Sequence, residues 1–229
     1  MNALTYGFRR AVSGLLYKRV YRYFNPKTPR LAPGANAALS RFLTKESQVL
    51  EWGSGLSTVW LAERCGNIVS IEHDPEWYQR VIQLLDEAGL TNARVILQEP
   101  DKAAGDSFDW QSWRGIKLVG TPAKPKFVNY FHAAEDLADD SFDLVILDGR
   151  GRTACFPHAM TKVKPGGWLL LDDSARPGYT PIFDAIGNWP HKTYRMGLIE
   201  TTIFTRPSET SVDELGACSM QDSISEMNR

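Results

Sequence analysis

Five short apolar runs mark the middle of the chain: SQVLEW (47–52), NIVSIE (67–72), ARVILQ (93–98), FDLVILD (142–148) and GWLLLDD (167–173). Each has the length of a strand. The intervals at about 57–65, 75–89 and 152–163 carry amphipathic helical spacing instead. Apolar strands separated by amphipathic helices predict a mostly parallel sheet with helices on both faces, an α/β doubly wound, Rossmann-like architecture. A further helix is predicted at 35–44 and another at IFDAIGNW (182–189). HKTYRMGL and ETTIFTRP then read as two final strands joined tightly around Gly197. PGG at 165–167 reads as a sharp stop between a helix and the fifth strand.

Outside this alternation the pattern changes. Leu4, Phe8, Val12, Leu15, Leu16, Val20 and Tyr23 recur at helical spacing, and NPKTPRLAPG with its three prolines follows as a linker. The expected organisation is an N-terminal amphipathic helix and linker (1–34), a main domain (35–206), and a disordered acidic tail (207–229). Within the main domain, residues 99–130 are too long for an ordinary connection. With Trp110 and Trp113 they read as a lid-like insertion, or equally as a surface excursion packed on the body. The N-terminal helix is expected to pack on the body or on a second subunit, as in a homodimer. Contact with a membrane surface through its basic face is the competing idea.

Composition narrows the class. The chain is 43% hydrophobic and 23% charged with net charge −1, as for a globular domain with a sizeable core. No apolar run is long enough to cross a membrane, and the start does not resemble a cleavable secretory signal. Cys65, Cys155 and Cys218 are odd in number and lack a C-x-x-C, so they read as reduced thiols of a cytoplasmic protein. Charge is asymmetric: residues 1–30 carry Arg9, Arg10, Lys18, Arg19, Arg22, Lys27 and Arg30 with no acid, while 207–229 are acidic. The body between them is therefore acidic, and nucleic acid is not the expected partner. His73, His132, His158 and His191 show no metal-ligand spacing, and His158, among apolar helical positions, reads as structural.

The candidate chemistry begins at VLEWGSGLSTVW (49–60), a glycine loop between the first strand and the first helix. Glycines there let backbone N–H groups approach a ligand closely. A phosphate-binding P-loop requires a lysine, and none is present in 49–60. A dinucleotide fingerprint is incomplete, since Thr58 stands at its third glycine. Glu51 would repel a pyrophosphate and welcome a cationic ligand. Glu72 ends the second strand, where an acid can accept both hydroxyls of a ribose, and His73 follows where it could lie against an adenine. These features describe S-adenosylmethionine better than NAD.

LEWGSGLSTVWLA, VSIEHDPEWYQRV, FDLVILDGRGR and VKPGGWLLLDDS resemble, in order, the motifs of class I S-adenosylmethionine-dependent methyltransferases. The resemblance spans roughly residues 36–206. It implies a seven-stranded sheet with an antiparallel last strand. It also implies that Glu51, Gly53, Ser54, Gly55 and Ser57, with Thr58 in the same loop, line the cofactor. Glu72 would take the ribose hydroxyls and His73 would flank the base. Ser57 departs from the pattern, where many members carry a glycine.

At the other end of the crevice stand Asp148, after the fourth strand, and Asp172 and Asp173, after the fifth. Three converging carboxylates repel one another unless something positive intervenes. A divalent cation such as Mg²⁺ is one answer, and it would also activate a substrate hydroxyl. The arrangement is similar to the catechol O-methyltransferase type, which implies metal ligation by Asp148, Asp172 and Asp173 and catalysis by Asp148 and Asp173. That type's lysine is Gly151 here. Arg150 and Arg152 stand nearby instead, and Arg150 is a further catalytic candidate through an anionic substrate group. The expected activity is O-methylation of a small hydroxylated acceptor. The alternatives are a NAD-type or nucleotide-sugar oxidoreductase on a similar fold and a non-catalytic cofactor-binding interaction module.

Overall fold

The computed structural model describes residues 20–101, 125–197 and 199–208. These form one sheet of seven strands: β1 (Gln48–Trp52), β2 (Asn67–Glu72), β3 (Ala93–Leu97), β4 (Phe142–Leu147), β5 (Val163–Asp172), β6 (His191–Met196) and β7 (Ile199–Thr205). Their order is β3-β2-β1-β4-β5-β7-β6. The first five run parallel. β7 is antiparallel to both of its neighbours, so it alone is reversed among the described strands. The helices are α1 (Pro33–Phe42), α2 (Leu56–Ala62), α3 (Pro75–Glu87), α4 (Val128–His132), α5 (Arg152–Lys162) and α6 (Thr180–Ile186).

Alternation along the central strands explains why both faces are covered. Leu50, Trp52, Val145, Leu147, Leu169 and Leu171 point to one face and pack with Phe131, Phe156 and Ile182 from α4, α5 and α6. Val49, Leu144, Ile146 and Leu170 point to the other and meet Leu39, Trp60, Leu61, Val81 and Leu85 from α1, α2 and α3. A side chain of this size stabilises the fold by about 1.5–3 kcal/mol when fully buried, so a one-residue slip of β1 or β4 would be costly. Glu51 falls on the α1–α3 face and is completely buried. It is an acid in an apolar stripe.

Two expectations need correction. PGG does not separate α5 from β5. β5 begins at Val163, directly after α5, and carries the glycines as an irregularity that shifts the pairing with β4 between Phe142↔Val163 and Leu144↔Trp168. Gly166 adopts φ +78°, which permits that bulge. The last part of the expected insertion is also regular, as a 3₁₀ turn (Pro125–Phe127) leading into α4. Tyr130, the last residue of that stretch, is fully buried.

The expected N-terminal helix lies almost wholly outside the described residues, as do the acidic tail from 209 and the 102–124 part of the insertion with Trp110 and Trp113. Where description begins, a single helical turn (Arg22–Phe24) leaves Val20, Tyr23 and Phe24 exposed, so this end of the apolar stripe is not packed on the described body. Among the described residues no helix is long and apolar enough to cross a membrane.

Candidate active site

The strand order reverses between β1 and β4, and in an open α/β sheet a crevice opens there beyond the carboxyl ends. The chain leaves these two strands at Gly53 and Gly149, which nearly touch. A Cβ on Gly53 would lie 2.6 Å from Gly149 Cα and N, and Gly53 sits at φ +99°. A Cβ on Gly149 would overlap the Tyr130 hydroxyl. Only glycine fits either position. Above them lies a cleft of about 560 Å³. Gly53, Ser54, Glu72, His73, Asp74 and Trp77 form one wall, and Asp148, Gly149, Arg150, Gly151, Arg176 and Tyr179 the other.

Behind the first wall, Glu51 is held by hydroxyls. Ser57 Oγ donates to its Oε1, while Thr58 Oγ1 (2.7 Å) and Ser70 Oγ (2.8 Å) donate to its Oε2. Thr58 Oγ1 also accepts from Gly55 N at 2.9 Å, which fixes the loop to the helix start. Burial pushes the Glu51 carboxyl upward, and the three hydroxyls pull it back. Glu72 is buried too. Its Oε1 accepts from the backbone N–H groups of His73 (2.7 Å) and Asp74 (2.9 Å). No described residue donates a hydrogen bond to Oε2. His73 Nδ1 lies 2.8 Å from Glu72 Oε1 but off the hydrogen-bonding direction, and it has no hydrogen-bond partner among the described residues. Asp74 caps α3 by accepting from Glu76 N and Trp77 N, with Pro75 as the first helical residue. Trp77 reaches back to donate its indole N–H to the Ser54 carbonyl at 2.7 Å.

The second wall is organised by Arg152. Its guanidinium is buried and donates to Asp148 Oδ1 (2.9 Å) and to the carbonyls of Asp148, Gly149 and Asp172. Its Nη1 also lies 3.8 Å from Asp172 Oδ2 and 4.0 Å from Asp173 Oδ2. Burial works against the guanidinium's charge, and the carboxylates more than restore it. Asp173 takes φ +53° and pairs with Arg176 on the rim. Asp172 is pushed well up by burial and by Asp148, while Thr201 Oγ1 donates to its Oδ1 at 2.9 Å. Burial raises the Asp148 carboxyl to about 6 against the pull of Arg152, with Glu51 adding to the rise and a hydrogen bond with Asp172 opposing it. Both carboxyls therefore bind a proton more readily than an ordinary carboxylate, and the titration belongs to the pair.

A family model described as a methyltransferase domain matches residues 50–174, more than half of the chain. The chain belongs to this methyltransferase-domain family. Solved structures of the same fold include an rRNA methylase from Streptococcus thermophilus, with TM-score 0.54 and 13% identity, covering 77% of this chain and 95% of that one. A methyltransferase from Geobacter sulfurreducens gives 0.53 at 12% identity, covering 86% and 89%. A protein from Corynebacterium glutamicum gives 0.55 at 15% identity, covering 91% and 99%. No functionally curated protein matches the sequence.

The methyltransferase is thus an S-adenosylmethionine-dependent enzyme on a Rossmann-like sheet. Its first wall suits that cofactor: a bare backbone at Gly53, where only glycine fits, an unengaged Glu72 oxygen and the orphaned His73 nitrogen. The expected cofactor residues divide into two groups. Gly53, Ser54, Glu72 and His73 line the cleft, whereas Glu51, Ser57 and Thr58 are absent from its walls. The last three brace the loop from behind, with Gly55 tied to them, because both Glu51 oxygens are consumed by hydroxyls. Asp148 and Arg150 line the opposite wall, and Asp173 stands behind it.

The expected cation does not fit this geometry. Asp148, Asp172 and Asp173 do not bring ligand oxygens within 4.8 Å of one another, and the one described triad of potential ligands that does so lies elsewhere. The charge that offsets the three aspartates is Arg152, which the sequence placed only as a cation standing near Asp148. Trp77, Arg176 and Tyr179 were missed. Trp77 alone had a signal, as an aromatic one turn into the helix that follows Glu72.

Proposed function

We propose that this methyltransferase methylates an oxygen of a small hydroxylated acceptor, with Asp148 as the proton acceptor and Arg152 in place of a divalent ion. S-adenosylmethionine supplies an electrophilic methyl group on a sulfonium. The reading gives Gly53, Ser54 and the free Glu72 oxygen the task of holding that cofactor, while His73 flanks its base. The observation that carries the proposal is Asp148: a carboxyl raised to about 6, on the cleft wall, anchored on one oxygen by Arg152. Such a group is ionised near neutral pH yet more basic than an ordinary carboxylate, which suits a general base. Arg150 and Arg176, both exposed at the cleft, favour an acceptor that carries an anionic group.

The test supplies methyl-labelled cofactor with pooled phenols, catechols and hydroxy acids in one arm and total RNA in another. Label in a small product, with Asp148→Asn slower by about 10²–10⁴-fold, supports the proposal. Label entering RNA alone would overturn the acceptor class, placing this chain with the activity named for the Streptococcus structure.

A further inference from the structure

Away from the cleft, α4 ends at His132, the next turn carries Glu135, and α5 presents His158 opposite. Their potential ligand atoms all lie within 4.8 Å of one another, uniquely so for a His/Cys/Asp/Glu triad among the described residues. Both rings turn Nδ1 toward the same carboxylate oxygen. His132 Nδ1 is 2.7 Å and His158 Nδ1 3.9 Å from Glu135 Oε1. The imidazoles themselves are close, with ring centroids 4.5 Å apart. We propose that His132, Glu135 and His158 bind a divalent transition ion of the zinc type that clamps α4 to α5.

Two imidazoles and one carboxylate are a recurrent donor set for such ions. Metal–ligand bonds of about 2.0–2.1 Å in tetrahedral geometry put neighbouring donors roughly 3.4 Å apart. The 2.7 and 3.9 Å separations from the Glu135 oxygen bracket that spacing, and the two imidazole donors lie within 4.8 Å of each other, so side-chain adjustments on the order of 1 Å admit the ion. His158 is buried and fixes one ligand rigidly, whereas Glu135 is half exposed and leaves solvent access for a water ligand. Lys162 Nζ is engaged by Asp139 Oδ1 at 2.8 Å and by the carbonyls of Glu135 and Leu137, which shapes the turn that presents Glu135. The clamp bears on the cleft indirectly, because α4 also carries Tyr130, whose ring packs on His73 and whose carbonyl accepts from Trp52 Nε1 at 3.0 Å.

The test uses the full, tag-free chain, stripped with chelator and returned to chelator-free buffer. Titration with zinc chloride should show one equivalent bound. At a hundredfold excess over Kd the Tm should rise by about 5 °C or more, and magnesium chloride should produce no shift. Cobalt(II) chloride should give visible absorption bands from the same site. His132→Gln, at a partly exposed position that tolerates change, and His158→Gln should each weaken zinc binding by more than about tenfold, the least that loss of even an outer-shell partner costs. No zinc binding by the wild-type chain, or equal stoichiometry and affinity in His132→Gln, would overturn the proposal and leave an ordinary His–Glu pair. All readouts are independent of methyl transfer, so failure here would not touch the proposed activity.

Discussion

The two walls of the cleft solve the same electrostatic problem differently. On the β1–β2 side a fully buried carboxylate, Glu51, is satisfied by three neutral hydroxyls. On the β4–β5 side three carboxylates surround one buried guanidinium. Hydroxyls give directional bonds that hold a loop in one shape. A guanidinium holds charge but leaves the coupled carboxyls free to exchange a proton near neutral pH. The first wall is thus built to position, the second to titrate.

Removing the guanidinium should break the second wall most severely. Arg152→Met leaves the buried Asp172 and the partly buried Asp148 without compensation and should cost about 3–5 kcal/mol. Urea denaturation measures it, and a loss below 1 kcal/mol would show that the aspartates simply protonate.

Next comes the cofactor side. Glu72→Ala should weaken binding of S-adenosylhomocysteine by about 1.5–3 kcal/mol, roughly ten- to a hundredfold, as a charge-assisted contact disappears. Calorimetry showing unchanged affinity would remove Glu72 from the site. Glu51→Gln should lower stability by about 1–3 kcal/mol, because its amide brings a donor toward hydroxyl donors. In contrast to Glu72→Ala, binding by the folded fraction should change little. An equal loss of affinity would erase the distinction between brace and lining.

The pH dependence separates the walls more finely. A carboxyl raised in the folded state stabilises the fold most at low pH, and that contribution is lost as pH rises through the folded value. From Asp148, stability should therefore increase as pH falls through about 6 toward the ordinary carboxylate value. The slope should reach at most about 1.4 kcal/mol per pH unit for one proton. Asp148→Asn should flatten that slope, and the wild-type rate should fall on the acid side of about 6. An unchanged slope in the variant would refute the shift. The smallest effect is expected from chelation. With Arg152 among the aspartates, EDTA should leave the initial rate within about twofold, whereas a collapse in rate that magnesium and not zinc reverses would restore the cation.

The sheet and its crevice could be read from local pattern. Strand and helix periods reflect which residues face the core, and β1, β2, β4 and their helices lie close to where those periods put them. The cleft positions of Gly53 and Glu72 were legible for a similar reason: each stands at a strand end. The two final strands, one of them reversed, were legible from alternation around Gly197. What tertiary structure decided were encounters between residues distant along the chain. Ser70 reaches Glu51 from the neighbouring strand and ties the acid into the base of the loop, a contact that local pattern does not contain. Arg152 enters a three-aspartate cluster because α5 starts beneath both β4 and β5, and spacing alone cannot reveal that approach. His132 and His158 show no ligand spacing in sequence, yet α4 packs on α5 so that both face Glu135. Local pattern reports which face a residue takes. Only the packed elements determine which charges share that face.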